Sequence, residues 1–408
     1  MNRNLPMNRN LLCAAIFSCT LLGSTSALAD ITMDYASSLR YRYEYFDIDE
    51  APGTSKASTA RLSVSAKANL GSGFSAFADF EAVEQIFEDE YAVPFISNPE
   101  TAGYPTIGDP QGAEVNQAYI AYNHAKFKTQ VRVGRQEVVL NNGRFISNSA
   151  WRQNHQSFNG ATFSISPTDA FKIDYGYLSR VLRVTGEEAG NGRANMDSHF
   201  YNLAYTFKDV GVLKTYGVLL DFDTEVTNST DTFGVRFEGN ISMGDLKFLT
   251  TLDYAMQKDA GDNPDEIDQN YYLVEVGLQA SGINYIIGQT ALEASSATDK
   301  FITPLAHPHN GWTELFLNNP SLGDSHGLEA TYLSAAGKIP GTKELFFTGF
   351  YYFYSPSTGD ADYGSELDFS LEYKGIAKTV LGWRFAQYMA DDLFKDALRT
   401  SVYVAYTF

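Results

Sequence analysis

The chain has 408 residues, with 30 Lys+Arg against 49 Asp+Glu and a formal charge of −19. An acid excess of that size excludes a basic surface for nucleic acid. The two cysteines, Cys13 and Cys19, both lie close to the N-terminus, so the rest of the chain has no disulfide, thiolate metal site or cysteine nucleophile. The chain opens MNRNLPMNRNLLCAAIFSCTLLGSTSALAD, in which Arg3 and Arg9 precede an apolar run and Ala27-Leu28-Ala29 forms a small-x-small site before Asp30. Residues 1–29 therefore read as a cleaved Sec signal peptide, whose apolar run is too short to span a bilayer. No later stretch supplies the roughly 20 consecutive apolar residues of a membrane-spanning helix.

From residue 30 to 408 one pattern repeats: about ten residues alternating apolar and polar, then a turn, then another run. In RLSVSAKANL, Leu62, Val64, Ala66 and Ala68 share one face while Arg61, Ser63, Ser65 and Lys67 share the other. DTFGVRFEGNIS, NYYLVEVGLQ and SELDFSLEY repeat the alternation further along. Successive side chains of a strand point to opposite faces, so each run has one oily and one polar side. Short connections such as LGSG, MGD and SGI interleave with longer polar ones at 88–113, 186–197, 258–268 and 294–325. This predicts an all-β fold: a closed antiparallel transmembrane β-barrel of about 18 strands, with short periplasmic turns and long extracellular loops. The last run, SVYVAYTF, alternates up to Phe408, as expected of a signal read by the outer-membrane assembly machinery. The 26 Tyr and 28 Phe, many near run ends, read as interfacial girdles.

In such a barrel the polar faces line the lumen. Parity places Arg40, Arg42, Arg61, Arg132, Arg180, Arg236, Arg384 and Arg399 there. Arg135, Arg144, Arg152 and Arg183 fall at or beyond strand ends, the first three within VGRQEVVLNNGRFISNSAWRQNHQSFNG near an expected constriction. Inward acids include Glu44, Asp79, Glu81, Asp174 and Glu238, and an acidic wall is expected from Asp221, Asp223, Asp253, Glu275, Asp368 and Glu372. Walls of opposite sign would set a transverse field across the lumen, and guanidinium groups bind carboxylates bidentately. An inward arginine can equally serve only to pair with an inward carboxylate and hold the barrel's shape.

Three stretches are similar to the alginate export family of outer-membrane porins. They are LRYRYEYFD with STARLSVSAKANLGSGFSAFADFE; QAYIAY leading into VGRQ…GRFISNSAWRQNHQSFNG; and FITPLAHPHNGWTELFLNNPSLGD. The resemblance implies an eighteen-stranded barrel that passes anionic saccharides such as alginate-type uronates through an arginine-lined lumen. The acidic wall favours short oligosaccharides or small, partly anionic nutrients over a long polyanion. A general or nutrient-specific porin for small organic molecules or neutral sugars is the alternative.

Other motifs weigh less. His307 and His309 stand two apart, with His326 further on, and the pair lacks a third ligand at a recognisable metal spacing, so no metal or other cofactor is expected. KDAGDNPDEIDQ does not keep the ligand order of an EF-hand and reads as a solvated acidic loop, or one bridged to lipopolysaccharide through divalent cations. No Ser-His constellation supports an outer-membrane enzyme. The expected partners are outer-membrane lipid and lipopolysaccharide, an anionic saccharide and the assembly machinery, with the barrel itself a monomer.

Overall fold

A computed structural model describes residues 31–306 and 310–408. Residues 1–29, expected to be a signal peptide, and the His307–His309 pair lie outside the described residues. Strands run in chain order as β1 (Thr32–Ile48), β2 (Ser55–Gly71), β3 (Phe74–Glu90), β4 (Gly112–His124), β5 (Thr129–Gln136), β6 (Ser157–Ile165), β7 (Phe171–Leu182), β8 (Arg193–Phe207), β9 (Gly211–Leu220), β10 (Thr230–Met243), β11 (Leu246–Asp259), β12 (Asp268–Ala280) and β13 (Ile283–Leu292). A small hairpin, β14 (Ser321–Leu322) and β15 (Ser325–His326), interrupts the wall. The wall resumes with β16 (Leu328–Lys338), β17 (Leu345–Ser355), β18 (Gly364–Ile376), β19 (Thr379–Met389) and β20 (Ala397–Thr407). Excluding the hairpin, the strands form one 18-stranded sheet, each antiparallel to its chain neighbours. β1 closes it on β20, from Ser38↔Thr407 to Ile48↔Ala397. Closure leaves no unpaired edge, which a strand in hydrocarbon could not tolerate.

The turns at the periplasmic end are tight for a stereochemical reason. Ser72–Gly73 and Ser281–Gly282 each hold two successive left-handed residues, with φ of 52° and 87° in the first turn and 52° and 77° in the second. That is the two-residue hairpin turn whose twist matches the flanking strands. A Cβ on Gly73 would sit 2.3 Å from the Asn123 carbonyl oxygen, so glycine is required there.

The outer wall is apolar, as the alternation predicts. Ile120, Val133 and Ile287 are each more than half exposed on it and face lipid. The lumen is not simply polar, because the long connections fold into it. Val138, Leu140, Phe145 and Ile146 of the 137–156 loop, with Phe301 and Leu305 of the 293–320 loop, pack onto inward residues of β6 to β12, among them Phe158, Leu178, Phe200, Tyr216 and Tyr271. Phe145 lies 5.4 Å from both Tyr216 and Tyr271, ring centre to ring centre. A second cluster gathers Phe316 of the 293–320 loop with Tyr354, Tyr363, Tyr388 and Phe394. Each such ring contributes roughly 1.5–3 kcal/mol when taken from water into a packed site. The barrel therefore encloses a hydrophobic core made by its own loops.

Candidate functional site: the lumen constriction

Three inward connections meet at the β20–β1 seam. Arg42 and Glu44 come from β1, Arg399 from β20, Asp109 from residues 91–111, Arg152 from 137–156 and Glu314 from 293–320. Three guanidinium groups and three carboxylates interlock. Arg42 Nε is 3.1 Å from Glu44, and a second nitrogen of Arg42 pairs with Asp109. Arg152 lies 3.6 Å from Glu44 and 3.7 Å from Asp109, and pairs with Glu314. Arg399 donates to Glu44 at 2.7 Å and to Glu314 at 3.0 Å. All six side chains are at most 10% exposed. Backbone bonds complete the clamp: Arg42 donates to the Trp151 carbonyl at 2.6 Å, the Gln153 amide donates to Asp109 at 2.7 Å, and Arg399 donates to the Thr313 carbonyl at 3.0 Å. Burial opposes the charge on Arg152, but the Glu314 and Glu44 carboxylates beside it outweigh that and hold its pKa above the ordinary guanidinium value.

A second anchor flanks it. His155 Nδ1 is 3.0 Å from Glu137 and 3.5 Å from Glu81, and its other ring nitrogen meets Arg61, which itself lies 3.2 Å from Glu81. Burial pushes the Glu137 carboxyl up, yet hydrogen bonds from His155, Asn148 and Asn116 win and hold it below the usual carboxylate range. On β18, Glu366 accepts from the Thr313 amide at 2.8 Å and hydroxyl at 2.7 Å, and Asp368 accepts from the Trp312 amide at 3.1 Å.

On the periplasmic side of this clamp is a chamber of about 600 Å³, lined by Arg40, Arg61, Arg384, Trp151, Trp312 and Tyr403, with Ser370 and Glu372. The Arg384 guanidinium is sandwiched between the two indoles, 3.9 Å from the Trp151 centroid and 4.0 Å from that of Trp312. Arg40 is tied to the loop at its base, donating to Gln153 at 2.8 Å and to the Ala150 and Trp151 carbonyls at 3.2 Å. Cations and aromatic plates thus share one cavity, an arrangement that can hold a carboxylate beside a flat apolar face.

The other arginines named from sequence disperse. Arg132 lies on the lumen face of β5, 5.3 Å over the Tyr119 ring. Arg236 is buried, bonded at 2.8 Å to Asp253 and 2.7 Å to Glu238. Arg144 sits inside the loop-made core, 5.6 Å from the Tyr271 ring centre and donating to Asn310 at 3.1 Å. Arg183 joins two outer connections through Glu225, at 2.9 and 2.6 Å. Arg135 and Arg180 do not face the lumen. Arg135 shares the face of Val133, opposite Arg132 and the buried Gln136. On β7 the register shifts between Leu178 and Arg180, turning Arg180 outward beside the fully buried Val181.

The acidic wall also needs correction. Asp253 and Glu275 face inward but are engaged, Asp253 by Arg236 and Tyr216, Glu275 by the Tyr332 hydroxyl at 2.6 Å. Asp368 holds the Trp312 loop, and Glu372 accepts from Tyr403 at 2.5 Å. Asp221 and Asp223 are exposed on the outer face, while Phe222 between them is 1% exposed and points in with Tyr216, Val218 and Leu220. Parity misplaced these two because β9 packs apolar residues on both sides, lipid outside and the loop-made core inside. Asp109 and Gln153 were missed; neither lies in an alternating run, and only the folded loops bring them to the seam. Glu314 was likewise unassigned, although it stands in the FITPLAHPHNGWTELFLNNPSLGD stretch. Among the described residues no group of His, Cys, Asp and Glu is arranged to hold a metal.

A family model described as alginate export matches residues 32–285. Among curated proteins no sequence relative matches. Solved structures share the fold across nearly the whole chain. OccAB4 of Acinetobacter baumannii superposes with a TM-score of 0.69 at 15% identity, covering 92% of this chain and 98% of that one. OccAB2 of the same organism gives 0.70 at 17%, with the same coverage of both chains. The outer membrane protein OpdK of Pseudomonas aeruginosa gives 0.67 at 13%, covering 92% and 98%. At those identities the likeness shows the barrel and no more.

Proposed function

Because this chain belongs to the alginate export family and forms an outer-membrane porin barrel, we propose that it passes small organic anions of uronate size, with the chamber beneath the loop clamp as their binding site. The observation that carries this reading is the grouping of Arg40, Arg61 and Arg384 with Trp151 and Trp312 around one cavity of about 600 Å³. That size accommodates a small molecule, in the usual range of ligand pockets, and is far short of what a polymer needs. The six-membered ion cluster above the chamber balances in formal charge, so the attraction for an anion comes from the chamber arginines. The barrel acts as a monomer in this reading. Passage is diffusive, with the carboxylate exchanging between guanidinium groups and the ring of the solute lying against an indole.

Reversal potentials across planar bilayers test the sign of selectivity. Anion preference is expected, and Arg40→Ala with Arg61→Ala should reduce the anion-to-cation permeability ratio several-fold. Cation selectivity untouched by those changes would overturn it. Current blocking by galacturonate and its dimer against neutral sugars tests the solute. The paired tryptophans also suit a sugar face, so block by neutral sugars alone would favour the nutrient-porin alternative.

A further inference from the structure

Arg135 and Arg180, which do not face the lumen, fall into line with two asparagines on the outer wall. Arg135 of β5 pairs in register with Asn159 of β6, Asn159 with Arg180 of β7, and Arg180 with Asn195 of β8. All four side chains point away from the lumen, because Gln136, Phe158, Val181, Ala194 and Met196 beside them are the buried ones. Arg135 Nε donates to Asn159 at 3.1 Å and Arg180 Nε donates to Asn195 at 2.7 Å. The amides thus occupy the inner edge of each guanidinium and set its orientation. One Nη of Arg135 reaches the Val115 carbonyl at 2.8 Å, whereas both Nη groups of Arg180 make no bond among the described residues. Arg193 stands two residues beyond Asn195 on the same face. Two carboxylates lie near: Asp197 stands on the same outer face of β8 as Asn195, and Glu114, which accepts from Asn154 at 3.4 Å, also feels the charge of Arg135.

The row lies at the extracellular ends of β5 and β6, the shortest of the full wall strands before β9, with 8 and 9 residues against 17 in β1. There the chain leaves the wall to enter the lumen, so the lipid-facing surface is lowest at this point. Lower on the wall that surface carries residues such as Ile120 and Val133, and an outward guanidinium bordering it requires an anionic partner or water. Strands in a sheet are spaced about 4.8 Å apart, so Arg135 and Arg180 are about 10 Å apart at their backbones. Two arginine arms at that spacing can converge on one tetrahedral anion.

We propose that the Arg135–Asn159–Arg180–Asn195 row is a docking site for the phosphate of a phosphorylated glycolipid in the outer leaflet, of the lipid A type. The site seats one lipid against the low stretch of wall, its phosphate on the arginines and its acyl chains along the apolar surface below. This goes beyond the solute reading and stands independently of it.

The test is lipid A retained after detergent exchange, quantified by native mass spectrometry, for the full-length refolded barrel and Arg135→Gln/Arg180→Gln. The wild-type protein should retain lipid A with at least about tenfold higher affinity than the double variant. Inorganic phosphate alone should bind far more weakly than the lipid. Equal retention by the double variant, equal retention of dephosphorylated lipid A, or binding of free phosphate without retention of lipid would each overturn the proposal. Should the glutamine variant fail to fold, judged by heat-modifiable gel mobility, Arg135→Lys/Arg180→Lys keeps the charge but not the two-pronged geometry. It should show intermediate retention, and wild-type retention by it would overturn the role of the paired guanidiniums. Single-channel conductance of the variants should match wild type. A changed conductance would return these arginines to the lumen and overturn their placement on lipid.

Discussion

At the level of single residues, Arg152 illustrates how a buried charge is made tolerable. It meets Glu44, Asp109 and Glu314 at once, and removing it leaves three carboxylates to share Arg42 and Arg399. Breaking one side of a buried ion pair costs roughly 3–5 kcal/mol, whereas replacing both partners with apolar residues is often close to neutral. Arg152→Ala should therefore lower hydrogen-exchange protection across residues 137–156 by about that free energy, and Arg152→Met with Glu314→Leu should recover most of it. If the single variant exchanges like wild type, the cluster does not hold the loop. Trp312 is a second discriminating residue. Trp312→Ala removes one plate from Arg384 and, at about 1–2 kcal/mol for a desolvated cation–π contact, should weaken uronate block by roughly tenfold. Unchanged block would detach the chamber from solute binding.

Among the elements, the 137–156 connection has the largest effect, since it supplies apolar residues to the inner core, Arg152 to the clamp and Trp151 to the chamber. Its second anchor is Glu137, whose pKa is held below the ordinary carboxylate value. A depressed carboxylate pKa contributes stability that is present above its unfolded value, about 4, and is lost as pH falls through the folded value. Protection of this loop should hold from neutral pH to about 4 and decline below it. Glu137→Gln, which cannot ionise, should flatten that decline. A loop equally protected at pH 3 would remove Glu137 from the account. Replacing residues 138–153 by a short Gly-Ser link should raise single-channel conductance, because both the core packing and the Arg152 clamp are lost from the lumen.

For the whole molecule, closure of β20 on β1 determines whether a barrel exists at all. Phe408 lies just past the last ladder residue, its amide bonded to the Ser37 carbonyl at 2.9 Å and its ring 60% exposed. Its burial therefore contributes little to the folded barrel. Deleting Phe408 should leave refolding into detergent unchanged and reduce the assembled barrel recovered from cells, which heat-modifiable mobility measures in both cases. A loss of in vitro refolding would instead make the residue structural.

The wall was legible in the chain because hydrocarbon outside a closed sheet enforces strict alternation, and turns such as Ser72–Gly73 and Ser281–Gly282 mark where it reverses. The strand count, the antiparallel closure and the lumen positions of Arg40, Arg42, Arg61, Arg132, Arg236, Arg384 and Arg399 follow from that one-dimensional rule. It failed where its premise did. At β9 an apolar core lies inside as well as lipid outside, so Asp221 and Asp223 changed sides. At β7 a bulge shifts parity by one residue and Arg180 turned outward. Arg152 was expected near a constriction, but its partners there were out of reach for a different reason. Asp109, Arg152 and Glu314 stand on separate loops with no period to read, and they meet only because three connections fold back through the same opening. Local alternation determined the barrel, while long-range packing of its loops decided which arginines are pinned in the clamp, which line the chamber and which face the membrane.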